Sequence, residues 1–273
     1  MSKKEKKQKA SRKKKVMIAV FSVLAVTVIG GIVLLCICFF APKSDPRYVA
    51  HRGYSHKYLG NTEEAFRAAA SMEFYGIETD IRKTKDGFYI CNHDATVKYA
   101  NGEEKEISST EFAELTSAPL KNDKTANEVY LCTFEKYLEV CASGNKVAVI
   151  ELKEDFGSED IRQILDIVDD KYDRTSVTFI SFYFDALLRI KEEDGAIDLQ
   201  YLSETKNDPV FSRCREEGIS IDVRQSILTK KLVKSFHDAG LAVNVWTVNK
   251  EFDRNIVRIK GVDFITSDLF DKN

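Results

Sequence analysis

Residues 76–94 read GIETDIRKTKDGFYICNHD. In the first six, GIETDI, acidic residues break an apolar run at alternate positions, Glu78 and Asp80. Alternate residues of a strand share a face, so both carboxylates point one way and Thr79 the other. Asp86–Gly87 is a hairpin-turn signal. The stretch therefore reads as a strand that leads into an extra hairpin rather than into a helix. That makes it an exception, because the chain on either side alternates strand with helix. The other strand candidates are YVAH (48–51), KVAVIEL (146–152), SVTFIS (176–181), IDLQYLS (197–203), GISIDV (218–223), LAVNVWTV (241–248) and GVDFITSD (261–268). Helical periodicity fills NTEEAFRAAASMEF, TFEKYLEVCAS, SEDIRQILDIVDD, YFDALLRIKEED and LTKKLVKSFHDAG. Alternating strand and helix implies a parallel sheet. Eight units in about 225 residues predict a (β/α)8 TIM barrel over residues 47–270, with a small hairpin insertion after strand 2. An open doubly wound sheet is the alternative. Residues 95–130 are polar and weakly periodic and read as an excursion at the barrel mouth.

The N-terminal end is different in kind. Residues 1–15 hold nine Lys/Arg and one Glu, whereas the remainder holds 32 basic and 42 acidic side chains. A nucleic-acid binder would carry its positive charge on the folded domain, so no nucleic-acid partner is expected. Residues 16–41 contain no charge. As a helix they would extend about 39 Å, enough to span a bilayer. The apolar run is too long for the h-region of a cleaved signal peptide, and it is more uniformly apolar than a buried core helix. An uncleaved, single-pass cell-membrane anchor at residues 16–41 is expected, with residues 1–15 a basic cytoplasmic tail and the domain that follows extracytoplasmic. Of six cysteines, Cys36 and Cys38 fall in the outer end of the anchor, and Cys91, Cys132, Cys141 and Cys214 show no zinc-like spacing. Cys132 and Cys141 flank a helical candidate, too far apart for a disulfide, and free thiols are expected.

Barrel active sites lie at the C-terminal ends of the strands. His51 and Arg52 close the first run, Glu78 and Asp80 the second, and Glu151 and Lys153 the third. Trp246 shares a face with Asn244. Three inward carboxylates, Glu78, Asp80 and Glu151, require a positive partner, and an oxygen-only set selects a hard divalent cation, Ca2+ or Mg2+. With Arg52 and Lys153 beside it, such a cation would hold a phosphate group. His51 and His93, two of only four histidines, sit at mouth positions and suit an acid–base pair. Each feature alone has a bland reading: a strand-end histidine as structural, Glu-x-Asp as a solvated face, Lys153 as a surface lysine, Trp246 as core. Their order along the chain carries the argument.

The stretches AHRG, NTEEAF, GIETDIRKTKDGFYICNHD, VIELK, VNVWTVN and GVDFITSD together resemble the glycerophosphodiester phosphodiesterase family, in order from Tyr48 to Asp268. The resemblance implies a barrel with a hairpin insertion and hydrolysis of glycerophosphodiesters to glycerol 3-phosphate and an alcohol. It implies a divalent metal at Glu78, Asp80 and Glu151, an acid–base pair at His51 and His93, and phosphate contacts from Arg52 and Lys153. The substrate's own glycerol hydroxyl would attack first, and water would open the resulting cyclic phosphate. Two departures stand out. Leu59-Gly60 replaces the family's Pro-Glu, and ATVKYANGEEKE follows His93-Asp94 in place of Arg-Thr-Thr-Gly. Alternatives are a phospholipase-type phosphodiesterase, a hydrolase of glycerol-phosphate wall polymers, and an inactive membrane-anchored binding protein. The aromatic residues of SFYFDALL are expected to pack between helix and sheet. His51 and Arg52 are adjacent, so both reach the mouth only if Gly53 permits a bend.

Overall fold

The computed structural model describes residues 15–32 and 44–269. The chain divides after residue 43 into two units. In the first, helix α1 (Lys15–Ile32) has a mean hydropathy of 2.2 and no buried residue, and it is long and apolar enough to cross a membrane. The remainder of the predicted tail and anchor, including Cys36 and Cys38, lies outside the described residues.

In the second unit the elements run β1 (Arg47–Ala50), α2 (Glu63–Ala70), β2 (Gly76–Lys83), β3 (Tyr89–Cys91), β4 (Thr96–Lys98), β5 (Glu104–Glu106), α3 (Phe112–Leu115), β6 (Cys132–Thr133), α4 (Phe134–Gly144) and β7 (Val147–Leu152). They continue as α5 (Ser158–Lys171), β8 (Val177–Ser181), α6 (Phe184–Glu193), β9 (Asp198–Ser203), α7 (Val210–Glu216), β10 (Ser220–Arg224), α8 (Lys230–His237), β11 (Val243–Trp246), α9 (Glu251–Lys260) and β12 (Phe264–Ser267). Strands β1, β12, β11, β10, β9, β8, β7 and β2 pair in parallel in that order, and β1 pairs β2 to close the ring. This is the predicted barrel of eight parallel strands, each on one of the eight expected runs. Closure rules out the open sheet.

The hairpin falls at the expected turn. β3 returns antiparallel to β2, with Lys83 opposite Tyr89, and Gly87 takes φ +93° at the turn. β6 then pairs antiparallel to β3. The excursion is less polar than it reads. Val97, Tyr99, Ile107, Leu115, Leu120, Val129 and Leu131 join Ile90 in a small core of its own.

Two layers build the barrel. Outside the strands, helix faces bury a continuous apolar cluster. There Phe66 of α2 meets Tyr137 of α4 edge-on at 4.9 Å, and truncating Phe66 to alanine would cost about 3–5 kcal/mol. The Tyr137 hydroxyl donates to Ile77 O (2.6 Å) and Val149 O (3.2 Å), pinning the two strands that carry the carboxylates. Inside the ring, Val49, Val149, Ile180 and Leu202 pack below the mouth. A buried polar set, Thr178, Gln200, Asp222, Asn244 and Thr266, shares that interior. Asn244 Nδ2 donates to Gln200 Oε1 (3.3 Å) and Thr266 Oγ1 (3.2 Å). The interior is thus filled, and the open space lies at the strand ends.

Two local expectations need correction. Cys141 lies within α4 rather than beyond it. In SFYFDALL, Phe184 does pack inward, edge-on to Tyr201 at 5.7 Å, but Phe182 and Tyr183 are exposed at the mouth. They follow the last residue of β8 directly, so they stand above the strand end instead of between layers.

Candidate active site

Strand β1 ends at Ala50, and the next three residues turn sharply. Arg52 has φ +55° and Gly53 φ +79°. A Cβ on Gly53 would lie 2.6 Å from Ala65 C and 2.7 Å from Ala65 O, so glycine is required there. The bend brings His51 and Arg52 to the same mouth, as their adjacency demanded. Arg52 adopts a conformation that costs an L-residue about 1–2 kcal/mol. Its backbone N–H donates to Glu78 Oε2 at 2.7 Å, which offsets that cost.

Glu78, Asp80 and Glu151 come together. Each offers an oxygen within 4.8 Å of the others, all three are buried, and they could hold a metal ion. Burial, with Asp80 and Glu151 as negative neighbours, pushes Glu78 well above the usual carboxylate range. Burial and Asp80 likewise push Glu151 up to about 7. Burial would also raise Asp80, but Arg52 and Lys153 outweigh it and hold this carboxyl low. Arg52 Nε stands 3.2 Å from Asp80 Oδ2, and Lys153 Nζ lies 2.8 Å from Glu151 Oε1 and 3.5 Å from Asp80 Oδ1. Two cations against three carboxylates leave the well short of positive charge. Buried Asp80 Oδ1 also accepts no hydrogen bond. An all-oxygen well in which a buried carboxylate oxygen accepts no hydrogen bond fits a hard divalent cation.

His51 Nδ1 meets Asp268 Oδ1 at 2.6 Å. Asn249 Nδ2 donates to the other carboxylate oxygen at 2.6 Å, and Ser55 Oγ to the first at 3.1 Å. Burial would raise Asp268, but His51, Asn249 and Ser55 outweigh it and hold the carboxyl at about 2. An ionised Asp268 keeps the proton on Nδ1, which leaves Nε2 of the neutral ring free to accept one. His93 follows β3 on the insertion. Its carbonyl accepts from Arg82 Nη2 (2.8 Å) and Nε (3.0 Å), and its Nδ1 meets Asp94 Oδ1 at 2.8 Å. Burial lowers His93 below the usual imidazole value, Asp80 opposing the shift and Arg52 adding to it.

His51, His93, Arg52, Lys153, Glu78, Glu151 and Trp246 line one cavity of about 70 Å³, with Ile180, Phe182 and Leu202 as its apolar wall. Asp80 lies fully buried beneath. All eight residues expected from sequence are thus gathered at one end of the barrel. Trp246 is partly exposed, its Nε1 donating to Asp222 O (3.3 Å) and its ring edge-on to Phe182 at 6.1 Å.

The glycerophosphoryl diester phosphodiesterase family model matches residues 51–272. The chain belongs to that family. An uncharacterized protein of Mycoplasma genitalium is 29% identical over 218 residues, 74% of this chain and 86% of its own length. A glycerophosphodiester phosphodiesterase of Caldanaerobacter subterraneus is 26% identical over 228 residues, 81% of this chain and 93% of that one. A phosphodiesterase of Oleispira antarctica, solved in complex with the product sn-glycerol-3-phosphate, has the same fold, with TM-score 0.73 at 23% identity over 82% of this chain and 93% of that one. Membership makes this chain a phosphodiesterase, a hydrolase with a TIM barrel.

Gly60, where the family pattern has Glu, sits against Arg52, and a Cβ there would lie 3.0 Å from Arg52 Cβ. The carboxylate well forms without it. Beside it opens a second cavity of about 380 Å³, lined by Arg52, Gly60, Asn61, His93, Lys98 and Lys121 among others. Three further residues shape the site, and of these the sequence marks only Asn61, as an N-cap candidate beside Thr62, which is the actual cap of α2. Asp268 and Asn249 hold His51. Asn61, at φ +61°, donates from Nδ2 to Asp80 Oδ2 (2.8 Å) and accepts from Thr79 Oγ1 (2.9 Å). All three lie inside the quoted motifs NTEEAF, VNVWTVN and GVDFITSD, which was the available signal.

Proposed function

We propose that the chain hydrolyses glycerophosphodiesters to sn-glycerol 3-phosphate and an alcohol, with His51 and His93 as the acid–base pair. The observation that carries this reading is the single cavity shared by both imidazoles, both cationic side chains and the carboxylate well. Arg52 and Lys153 bind the phosphate oxygens. Glu78, Asp80 and Glu151 hold Ca2+ or Mg2+, which when bound neutralises charge developing on the phosphoryl oxygens. His51 Nε2 takes the proton from the substrate's neighbouring glycerol hydroxyl as its oxygen attacks phosphorus. His93 gives a proton to the alcohol oxygen as the P–O bond breaks. In the second step His93 takes a proton from water and His51 returns one to the glycerol oxygen as the cyclic phosphate opens. Trp246 and the apolar wall flank the glycerol carbons.

The anchor and its orientation belong to the same proposal: α1 within a membrane anchor at residues 16–41, the basic tail in the cytoplasm and the barrel outside. The exposed Phe182 and Tyr183 at the mouth favour one second reading, a phospholipase-type substrate that carries an acyl chain. The test uses the full chain in detergent micelles. Release of glycerol 3-phosphate from glycerophosphocholine, glycerophosphoethanolamine and glycerophosphoglycerol is measured with Ca2+, Mg2+ and EDTA. Metal-dependent release that His51→Ala and His93→Ala both abolish supports the proposal. A folded, metal-binding protein that releases nothing points to the acyl-chain or wall-polymer substrate. A folded protein that binds no metal points to an inactive binding module.

A further inference from the structure

The chain leaves the barrel for its insertion at Cys91, the last residue of β3, and rejoins it at Cys132, the first of β6. These two residues face each other directly across the antiparallel β3–β6 pair. Directly opposed residues have Cα atoms about 4.5–5.5 Å apart, inside the range of about 4.4–6.8 Å that a disulfide spans. Their thiols point into the same space: Cys91 Sγ lies 3.6 Å from Thr133 O and Cys132 Sγ 3.5 Å from that same oxygen. Both are free in the structure, as are Cys141 and Cys214, which lie on helices.

We propose that Cys91 and Cys132 are a redox pair whose disulfide closes the insertion at its base. Everything between them, residues 92–131, is the insertion, and His93 is its second residue. β6 is only two residues long and lies at the edge of the sheet, so the hydrogen-bonded closure is short. Both thiols are buried, Cys91 0% and Cys132 4% exposed, but Cys91 belongs to the lining of the cavity of about 380 Å³ beside His93 and Cys132 to that of a groove of about 690 Å³ between α2 and residues 127–133, so opening the short stem would bring an oxidant to them. The oxidant is a low-molecular-weight disulfide such as oxidised glutathione. The Cys132 thiolate attacks one of its sulfurs and expels the first thiolate. The Cys91 thiolate then attacks the Cys132 sulfur of the mixed disulfide and expels the second. The protein gives up two electrons and two protons, and the oxidant becomes two thiols. Burial, reinforced by the neighbouring Cys132, holds the Cys91 thiol well above its usual value, so exchange is slow and follows opening of the stem.

The test incubates the full chain, in micelles, with oxidised glutathione, then denatures it in an alkylating agent and maps its peptides. A peptide linking residues 91 and 132, with two fewer alkylated cysteines than in the reduced protein, is expected. The thermal midpoint of the oxidised protein should rise by roughly 5–10 °C over the reduced one. Cys132→Ser should lose both effects and keep the activity of the reduced wild type. A different linked pair, no linked pair, or a linked pair without a rise in midpoint overturns the proposal. Because the wild-type peptide map decides the pairing alone, a variant that fails to fold leaves the test intact.

Discussion

The two histidines of the site are held in opposite ways. His51 sits on the barrel, 20% exposed, against an Asp268 that is 217 positions away in sequence and is itself fixed by Asn249 and Ser55. His93 sits on the insertion, 42% exposed, and its ring pairs with the very next residue, Asp94, which is 55% exposed. The first imidazole is oriented by the closure of the barrel, the second by a local contact open to water. A base that must meet a hydroxyl in one direction gains from rigid support. An acid that must follow different leaving alcohols can sit on a separate lobe. The insertion side is also where ATVKYANGEEKE follows His93-Asp94.

Both sides share the carboxylate well, so damage there should erase the difference between them. Chelation of divalent cations, or Asp80→Asn, should reduce release of glycerol 3-phosphate to background, and readdition of Ca2+ or Mg2+ should restore it in the chelated wild type alone. Residual activity in Asp80→Asn that still responds to metal would show that Glu78 and Glu151 suffice. Next in size, His51→Ala should lower kcat by about 10²–10⁴ for every substrate, because no leaving group replaces the base. His93→Ala should behave differently. With an alcohol leaving group the loss should be of similar order, whereas with a nitrophenyl ester, which leaves without a proton, the first release of nitrophenolate should be nearly unaffected. Equal losses for both esters would remove His93 from the acid role.

Much of this arrangement could be read in the sequence because it is periodic. The alternation in GIETDI and KVAVIELK places Glu78 with Asp80 and Glu151 with Lys153, and Asp86–Gly87 marks the hairpin. What could not be read depends on closure or on scattered contacts. His51 meets Asp268 because β1 and β12 are neighbours in the ring, with Ala50 opposite Ser267, and no local pattern encodes that pairing. α7 and α9 carry too weak an apolar stripe to show as helices in the sequence, each burying little: Phe211 and Cys214 in one, Arg254 and Val257 in the other. The insertion hides its core for a similar reason, since its apolar residues are spaced without a period from Ile90 to Leu131. Phe182 and Tyr183 misled because an apolar side chain just past a strand end looks the same as one within it.

The support behind each histidine gives the last and finest separation. Asp268→Asn keeps the shape but removes the charge that fixes the proton on His51 Nδ1, so kcat should fall by at least about tenfold. The same variant has a second readout. Asp268 is held at about 2, below the ordinary aspartate value near 3.9, so the folded state binds its proton less readily than the unfolded chain. That stability is present in full above about pH 4 and is lost as pH falls towards 2. Acid unfolding of Asp268→Asn should lack this component. Asp94→Asn, by contrast, breaks an exposed pair worth at most about 1 kcal/mol, so kcat should fall by no more than about fivefold. The reason is geometric: Arg82 already fixes the backbone at His93 through two hydrogen bonds to its carbonyl, and Asp94 adds only a preference among ring orientations. A loss for Asp94→Asn as large as that for Asp268→Asn would mean that the insertion side is held as tightly as the barrel side during turnover.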